Sequence, residues 1–216
     1  NMLSGYSEPK NWNRLVLAPL WLRDTFMRLI RRETEHARNH EPARIVAKMN
    51  SLCDKEIIAA LYEASAAGVE IDLVIRGICC LKTGIPGISE TIHVRSIVGN
   101  FLEHARIFYF RNGGNEEFYM GSADWMPRNL DKRVEIMFPV EDPVLREKVR
   151  HILQVQLDDN VKAHILQPSG IYEKIDKRGK VLVNAQETFC EEAIAAAKTQ
   201  AETVSNRVFI PLESEE

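Results

Sequence analysis

The sequence predicts an α/β domain built on a mixed β-sheet flanked by helices. Strand-length apolar runs alternate with longer stretches of helical period along most of the chain. Asp54 and Gly68 bracket one helical stretch between two β-type runs, the pattern of a strand–helix–strand unit with a parallel pair. Arg111-Asn112-Gly113-Gly114 separates two further strand-like runs with a hairpin signal.

Arg14–Leu20 reads as a short strand. Trp21–Arg38 then reads as a helix, because Leu22, Phe26, Leu29 and Ile30 fall on one face, and it is stopped by Asn39-His40-Glu41-Pro42. Ala43–Met49 is a second strand, followed by a helix from Asp54 to Ala67 with Ile57, Leu61 and Ala64 facing inward. Val69–Ile75 is a third. A loop over Leu81–Ser89 leads to a strand at Ile92–Val98. Arg106–Phe110 and Glu117–Met120 form the hairpin, and Arg133–Phe138 is a further strand. Asp142-Pro143 opens a helix to about Leu157 with an inner stripe of Leu145, Val149, Ile152 and Leu153. Val161–Leu166, Ile171–Ile175 and Val181–Val183 are candidate short strands, Gln186–Lys198 is helical, and Leu212–Glu216 is an acidic, frayed end. The expected division is 1–166 as one domain and 167–216 as a small C-terminal extension ending in a helix.

Composition bounds the function. With 45% apolar and 27% charged residues the chain has enough material for a core, and a net charge of −3 means that a polyanion site must be a local basic pocket. No apolar run reaches the roughly 18–20 residues of a membrane helix, and no secretory signal is present, so the expected location is cytoplasmic with peripheral membrane contact left open. Cys53, Cys79, Cys80 and Cys190 contain no CxxC pair, which argues for reduced thiols rather than a disulfide framework or zinc site. The start at Asn-Met-Leu-Ser-Gly, not at an initiator Met, is expected of a piece of a longer protein.

The chemistry concentrates in Phe101-Leu-Glu-His-Ala-Arg106 and Gly121-Ser-Ala-Asp-Trp-Met-Pro-Arg-Asn129. His104 and Arg106 are two apart at a strand's start, where alternation puts both on one face. An imidazole beside a fixed guanidinium suits phosphoryl chemistry, since one can attack phosphorus or move a proton while the other holds phosphate oxygens. Gly121 allows close approach of backbone to a ligand, Ser122 can donate to phosphate, and Asp124 can orient an imidazole or an arginine, or cap the turn before Trp125. Asn129, Asp131, Arg133 and Glu135 alternate along one side of the expected next strand. Lys48, Asn50, Arg76, Arg106 and Arg128 sit at strand ends or adjoining loops, where α/β sheets place ligand crevices. The bland alternatives are a structural His104, a solvated strand end at Arg76, and an ion-pair network of Arg128 and Arg133 with Asp131 and Glu135. Trp125 reads as packing, His36, His40, His93, His151 and His164 as structural, and Arg28, Arg31 and Arg32 as a solvated helix face.

The His-x-Arg strand followed by Gly-Ser and Asn resembles the phospholipase D signature, with Arg106 where that signature has Lys. A longer resemblance covers about Arg14 to Leu166. Lys48-Met-Asn-Ser-Leu, Ala64-Ser-Ala-Ala-Gly-Val, Val74-Ile-Arg-Gly-Ile-Cys, Phe101-Leu-Glu-His and Ser122-Ala-Asp-Trp-Met-Pro-Arg-Asn resemble the long-chain polyphosphate kinase family, in its order and spacing. The resemblance implies a phospholipase D-like mixed β-sheet flanked by helices, the second of two tandem domains. It implies reversible transfer of the terminal phosphate of ATP to inorganic polyphosphate, with ATP/ADP as substrates. It places Arg76 at the family's nucleotide-phosphate arginine and His104 at its C-terminal active-site histidine, with Lys48, Asn50, Arg106, Ser122, Asp124 and Arg128 as further phosphate-site candidates. The phosphorylated histidine and the groups holding Mg2+ belong to the preceding domain, so His104 is implied to be an assisting acid or phosphate-binding group, and no metal ligand is expected in this chain. Asn100 departs from the Arg that the family commonly has. Upstream domains, a homo-oligomeric assembly of the whole enzyme, no nucleic-acid partner, and inactivity of this domain alone complete the expectation. The runner-up is a phosphodiesterase of the phospholipase D type acting as a dimer, and a third reading is a non-catalytic polyanion-binding module.

Overall fold

A computed structural model describes residues 14–205, and the expected acidic end at Leu212–Glu216 lies outside them. Nine strands form one mixed sheet in the order β1-β7-β6-β5-β2-β3-β4-β8-β9. They are β1 (Val16–Ala18), β2 (Arg44–Met49), β3 (Glu70–Ile75), β4 (Ile92–Ile97), β5 (Arg106–Phe110), β6 (Glu117–Gly121), β7 (Glu135–Pro139), β8 (Ala163–Leu166) and β9 (Tyr172–Lys174). The central β2, β3 and β4 are parallel, as the strand–helix–strand pattern requires, and the flanking pairs are antiparallel.

Helices cover both faces. On one side lie α1 (Leu22–Arg38), α2 (Lys55–Ala66) and the short α3 (Pro127–Asp131). Leu22, Phe26, Leu29 and Ile30 of α1 are fully buried with Ile45, Ala47, Phe108 and Phe110 of the sheet. Alternation sends Val46, Ile107 and Tyr109 to the other face, where Val149 and Leu153 of α4 (Pro143–Asp158) close over them. The α4 stripe differs from expectation at Leu145, which is 51% exposed, while Val155 and Gln156 are buried instead.

The tail does not stand away from the sheet. β9 pairs with β8, which pairs with β4. Asp159, fully buried, accepts from the amides of Val161, Lys162 and Ala163 through one oxygen and from Ala185 through the other, at 2.7–3.0 Å. This pins the start of α5 (Ala185–Ser205). Val181–Val183 is not a strand: Val183 is tied to Asn160 and to the Val161 amide, and the segment pairs with no strand of the sheet.

Two further expectations fail locally. Residues 129–135 are not one polar strand. Pro127 fits the first turn of a helix, α3 forms, and Asn129 turns inward while Asp131 faces out. Arg32 leaves the solvated face of α1 to pair with Glu117 of β6 at 2.7 Å.

Arg23 of α1 ties the helical layer together. It donates to Asp54 at 2.9 and 2.6 Å and to Asp131 at 2.7 and 2.6 Å. Asp54 also caps α2 by accepting from the Ile57 amide at 3.0 Å. Burial pushes the Asp54 carboxyl up, but the Arg23 bonds and the Ile57 amide outweigh it, and its pKa ends below the ordinary 3.8. A depressed folded-state value means that this stabilisation is complete above about pH 4 and lost as pH falls through the folded-state pKa. Asp54→Ala is expected to lower unfolding free energy by about 2 kcal/mol at pH 7 and to flatten its acid limb. Urea melts of both proteins between pH 7 and pH 3 read this, and parallel acid limbs would contradict it.

Candidate phosphate-binding site

Sheet register alone brings the marked residues together. β2 and β3 run parallel with Met49 opposite Ile75, so Asn50 and Arg76 emerge side by side at their C-terminal ends. β5 is antiparallel to β2, with Lys48 opposite Ile107, so the stretch before Arg106 enters beside Asn50. Arg106 faces Gly121 on β6, which delivers Ser122 and Asp124 to the same end.

Asp124, 5% exposed, is the hub. Its Oδ1 accepts from the Asn50 amide at 2.9 Å, from Asn50 Nδ2 at 3.1 Å and from Arg106 Nε at 3.1 Å. Arg106 is therefore not the open phosphate fork that alternation suggests. The strand begins only at Arg106, whose Nη1 donates to the His104 carbonyl at 2.8 Å, so the two side chains part, one inward and one to solvent.

Arg76 is the opposite case. Its Nε donates to Asn50 Oδ1 at 2.7 Å, and its Nη2 lies 3.4 Å from His104 Nδ1. Both partners are neutral when His104 is unprotonated, and Arg76 forms no carboxylate ion pair among the described residues. It is half-buried and beside an exposed imidazole. With Nδ1 accepting, the ring proton sits on Nε2, where it can hydrogen-bond a phosphate oxygen.

Lys48 is 5% exposed. Its Nζ reaches Glu103 at 3.2 Å and the Ala105 carbonyl at 3.3 Å. Burial pulls its pKa down, against the pull of Glu103. Ser122 donates to Glu135 and accepts from the Ile136 amide at 3.1 Å, so its hydroxyl is engaged within the fold. Asn129 donates to the other Glu135 oxygen at 2.6 Å. Gly121 is required by the neighbouring strand rather than by a ligand, since a Cβ there would sit 2.5 Å from the Ile136 carbonyl oxygen. Arg128 is exposed and unpaired among the described residues, and neither it nor Arg133 joins Asp131 or Glu135. Trp125 is fully buried, stacked on Phe108 at 5.4 Å and edge-on to Phe26 at 5.5 Å, which is packing.

A cavity of about 1050 Å³ opens beside His104 and Lys48, walled by α4 and α5 through Val144, Ile152 and Phe189. No cluster of His, Cys, Asp or Glu among the described residues is placed to hold a metal ion. The nearby carboxylates of Glu103, Asp124 and Glu135 are each engaged by donors from the protein, so these residues do not fit a divalent ion.

Sequence reasoning missed two participants. Gln156 of α4 and Gln186 of α5 both donate to Glu103, and no motif marks either. The sequence marks Gln186 only as the start of a helical stretch.

Fold and site define a phospholipase D-like domain with Lys48, Arg76, His104 and Arg106 gathered at one end of its sheet. The same architecture occurs in two solved structures, NucT from Helicobacter pylori (TM-score 0.51, 13% identity, 67% of this chain and 94% of that one) and Nuc from Salmonella typhimurium, a phospholipase D family member (0.51, 17%, 70% and 95%). At those identities the likeness is one of fold. The chain belongs to the polyphosphate kinase family: residues 15–186 match the family described as polyphosphate kinase C-terminal domain 2. It is 54% identical over 174 residues to a polyphosphate kinase of Thermosynechococcus vestitus, covering 81% of this chain and 24% of that one. For the enzyme of a Synechocystis species the figures are 48% over 206 residues, 95% and 28%. The crystal structure of polyphosphate kinase from Porphyromonas gingivalis superposes with a TM-score of 0.86 at 41% identity, covering 92% of this chain and 30% of that one. The chain thus spans about a quarter to a third of the length of these relatives. No described helix is long and apolar enough to cross a membrane.

Proposed function

We propose that this domain supplies one wall of a phosphoryl-transfer site that moves the terminal phosphate of ATP to and from inorganic polyphosphate, and that it turns over only with the rest of the enzyme. One observation carries the reading: the Arg76 guanidinium is aimed by a neutral amide rather than neutralised by a carboxylate, and stands next to an exposed histidine. A half-buried charge left uncompensated is suited to a phosphate oxygen. Arg76 binds and orients a phosphoryl group, and His104 Nε2–H hydrogen-bonds one of its oxygens as a phosphate-binding group. Lys48 holds Glu103 and the Ala105 carbonyl on either side of His104, and Arg128 adds an exposed cation. Asn50, Arg106 and Asp124 hold the others in place. The handling of Mg2+ falls to residues outside this chain, in keeping with the engaged carboxylates here.

The test is titration with polyphosphate and with magnesium-ATP, plus ATP formation from polyphosphate and ADP. The 216-residue chain is expected to bind polyphosphate more weakly as salt rises and to form no ATP. His104→Ala in the intact enzyme is expected to lower turnover about 10²–10⁴-fold. A chain that binds no polyphosphate, together with an intact His104→Ala enzyme of ordinary turnover, overturns the reading.

A further inference from the structure

We infer that Gln186, in the first turn of α5, is a positioning residue that clamps the loop carrying His104. The inference rests on the phosphoryl-transfer reading of His104. It gives the C-terminal segment a part in the site that no motif within that segment suggests.

The clamp is a side-chain amide paired with a peptide group. Gln186 Oε1 accepts from the Phe101 amide at 3.0 Å, and its Nε2 donates to the Phe101 carbonyl at 2.8 Å. The same Nε2 donates to Glu103 Oε1 at 3.1 Å. Gln186 is 7% exposed, so these bonds are shielded from water. The loop is shaped to admit it: a Cβ at Gly99 would stand 2.3 Å from Gln186 Oε1.

Glu103 is then held from three directions. Gln156 of α4 donates to its Oε2, Lys48 of β2 lies 3.2 Å from that oxygen, and Gln186 takes the other. On the far side of His104, Arg106 grips the His104 carbonyl. The backbone is fastened before and after His104, while the imidazole stays exposed. Phe101 and Leu102 are themselves 60% and 78% exposed, so apolar packing does not hold this loop. Polar bonds do, and Gln186 supplies three of them. Gln186 is itself fixed because Asp159 accepts from the adjacent Ala185 amide at 2.8 Å.

Arg76 takes its aim from Asn50, by a route that does not pass through the loop. Loosening the clamp therefore displaces His104 and costs Arg76 its contact with His104 Nδ1 but not its bond to Asn50, and a displacement on the order of 1 Å costs up to about 10²-fold in rate. Gln186→Met keeps the length of the side chain and removes all three bonds. In the intact enzyme it is expected to lower kcat for ATP formation at least about tenfold, with KM for polyphosphate changed less than about threefold. In the 216-residue chain, amide exchange at Phe101 and its neighbours is expected to quicken about tenfold, with β2, β3 and β5 unchanged. Gln186→Glu keeps the acceptor for the Phe101 amide but sets a carboxylate against Glu103, and is expected to be no better than Gln186→Met.

Unchanged exchange at Phe101 means that the clamp does not exist. Exchange rising throughout the sheet means that Gln186 serves general stability. A loosened loop with ordinary kcat overturns the positioning role, provided His104→Ala is slow. If His104→Ala is also of ordinary kcat, the functional reading of His104 has failed, and the positioning role falls with it, whatever the exchange at Phe101 shows about the clamp.

Discussion

Arg76→Ala in the intact enzyme is expected to lower kcat/KM for ATP formation from polyphosphate by about 10²–10³-fold, with little loss of stability. The size follows from what the side chain faces. On the proposed reading, a guanidinium held by Asn50 beside an exposed imidazole, with no carboxylate partner among the described residues, offers its full charge to a phosphoryl group. Its partners inside the protein are the Asn50 amide oxygen and an exposed imidazole nitrogen, so removal strands only the Asn50 carbonyl oxygen. That loss is about 1 kcal/mol, a shift of only about 2–4 °C in melting temperature. Arg76→Lys should recover only part of the activity, because an ammonium keeps the charge but not the planar fork that meets both Asn50 and a phosphate. Steady-state kinetics beside a thermal melt decide it. A fall in activity that merely tracks a fall in melting temperature would make Arg76 a structural residue, and unchanged kcat/KM would remove it from the site.

Much of the fold was legible because local signals and burial agree. Asp54 marks the start of α2 by its capping bond, and the α1 stripe is buried residue for residue. The failures are local elements too short to show a period. α3 has five residues, and the alternation of Asn129, Asp131, Arg133 and Glu135 imitates a strand that ends up as a helix, a turn and a single strand position. That the candidate positions meet at one end of the sheet was legible, because sheet register brings strand ends together whatever their partners. Which cations are open was not legible. Arg76 and Arg106 look alike in sequence, and the difference is Asp124, 18 residues beyond Arg106, whose carboxylate engages one and not the other. Gln186 lies 85 residues from the Phe101 peptide that it holds, with no periodicity linking the two. Buried Glu33, which accepts from the Arg44 and Asn112 amides at 3.2 and 2.8 Å, escaped notice for the same reason.

Asp124→Ala is expected to be the most destabilising single change at this end of the sheet. Asp124 and Arg106 are 5% and 9% exposed, and the carboxylate also serves the Asn50 backbone amide. Truncation leaves a buried guanidinium without its counter-ion and a buried N–H without its acceptor, at a cost of about 3–5 kcal/mol, or a melting temperature lower by about 10 °C. Asp124→Asn should cost less, since one oxygen still accepts, but its amide then points donors at the donors of Arg106 and Asn50. Removing the stranded charge as well separates stability from function. The double variant Asp124→Ala with Arg106→Met should regain part of the stability lost in Asp124→Ala, because the unpaired guanidinium is gone. It should regain no turnover, because Asn50 still lacks the anchor that aims Arg76, and the His104 carbonyl has lost its grip from Arg106. Denaturant melts and turnover on the three variants give the answer. If turnover returns with stability in the double variant, Asp124 is only a buried counter-ion, and the aim of Arg76 is set by something other than Asn50.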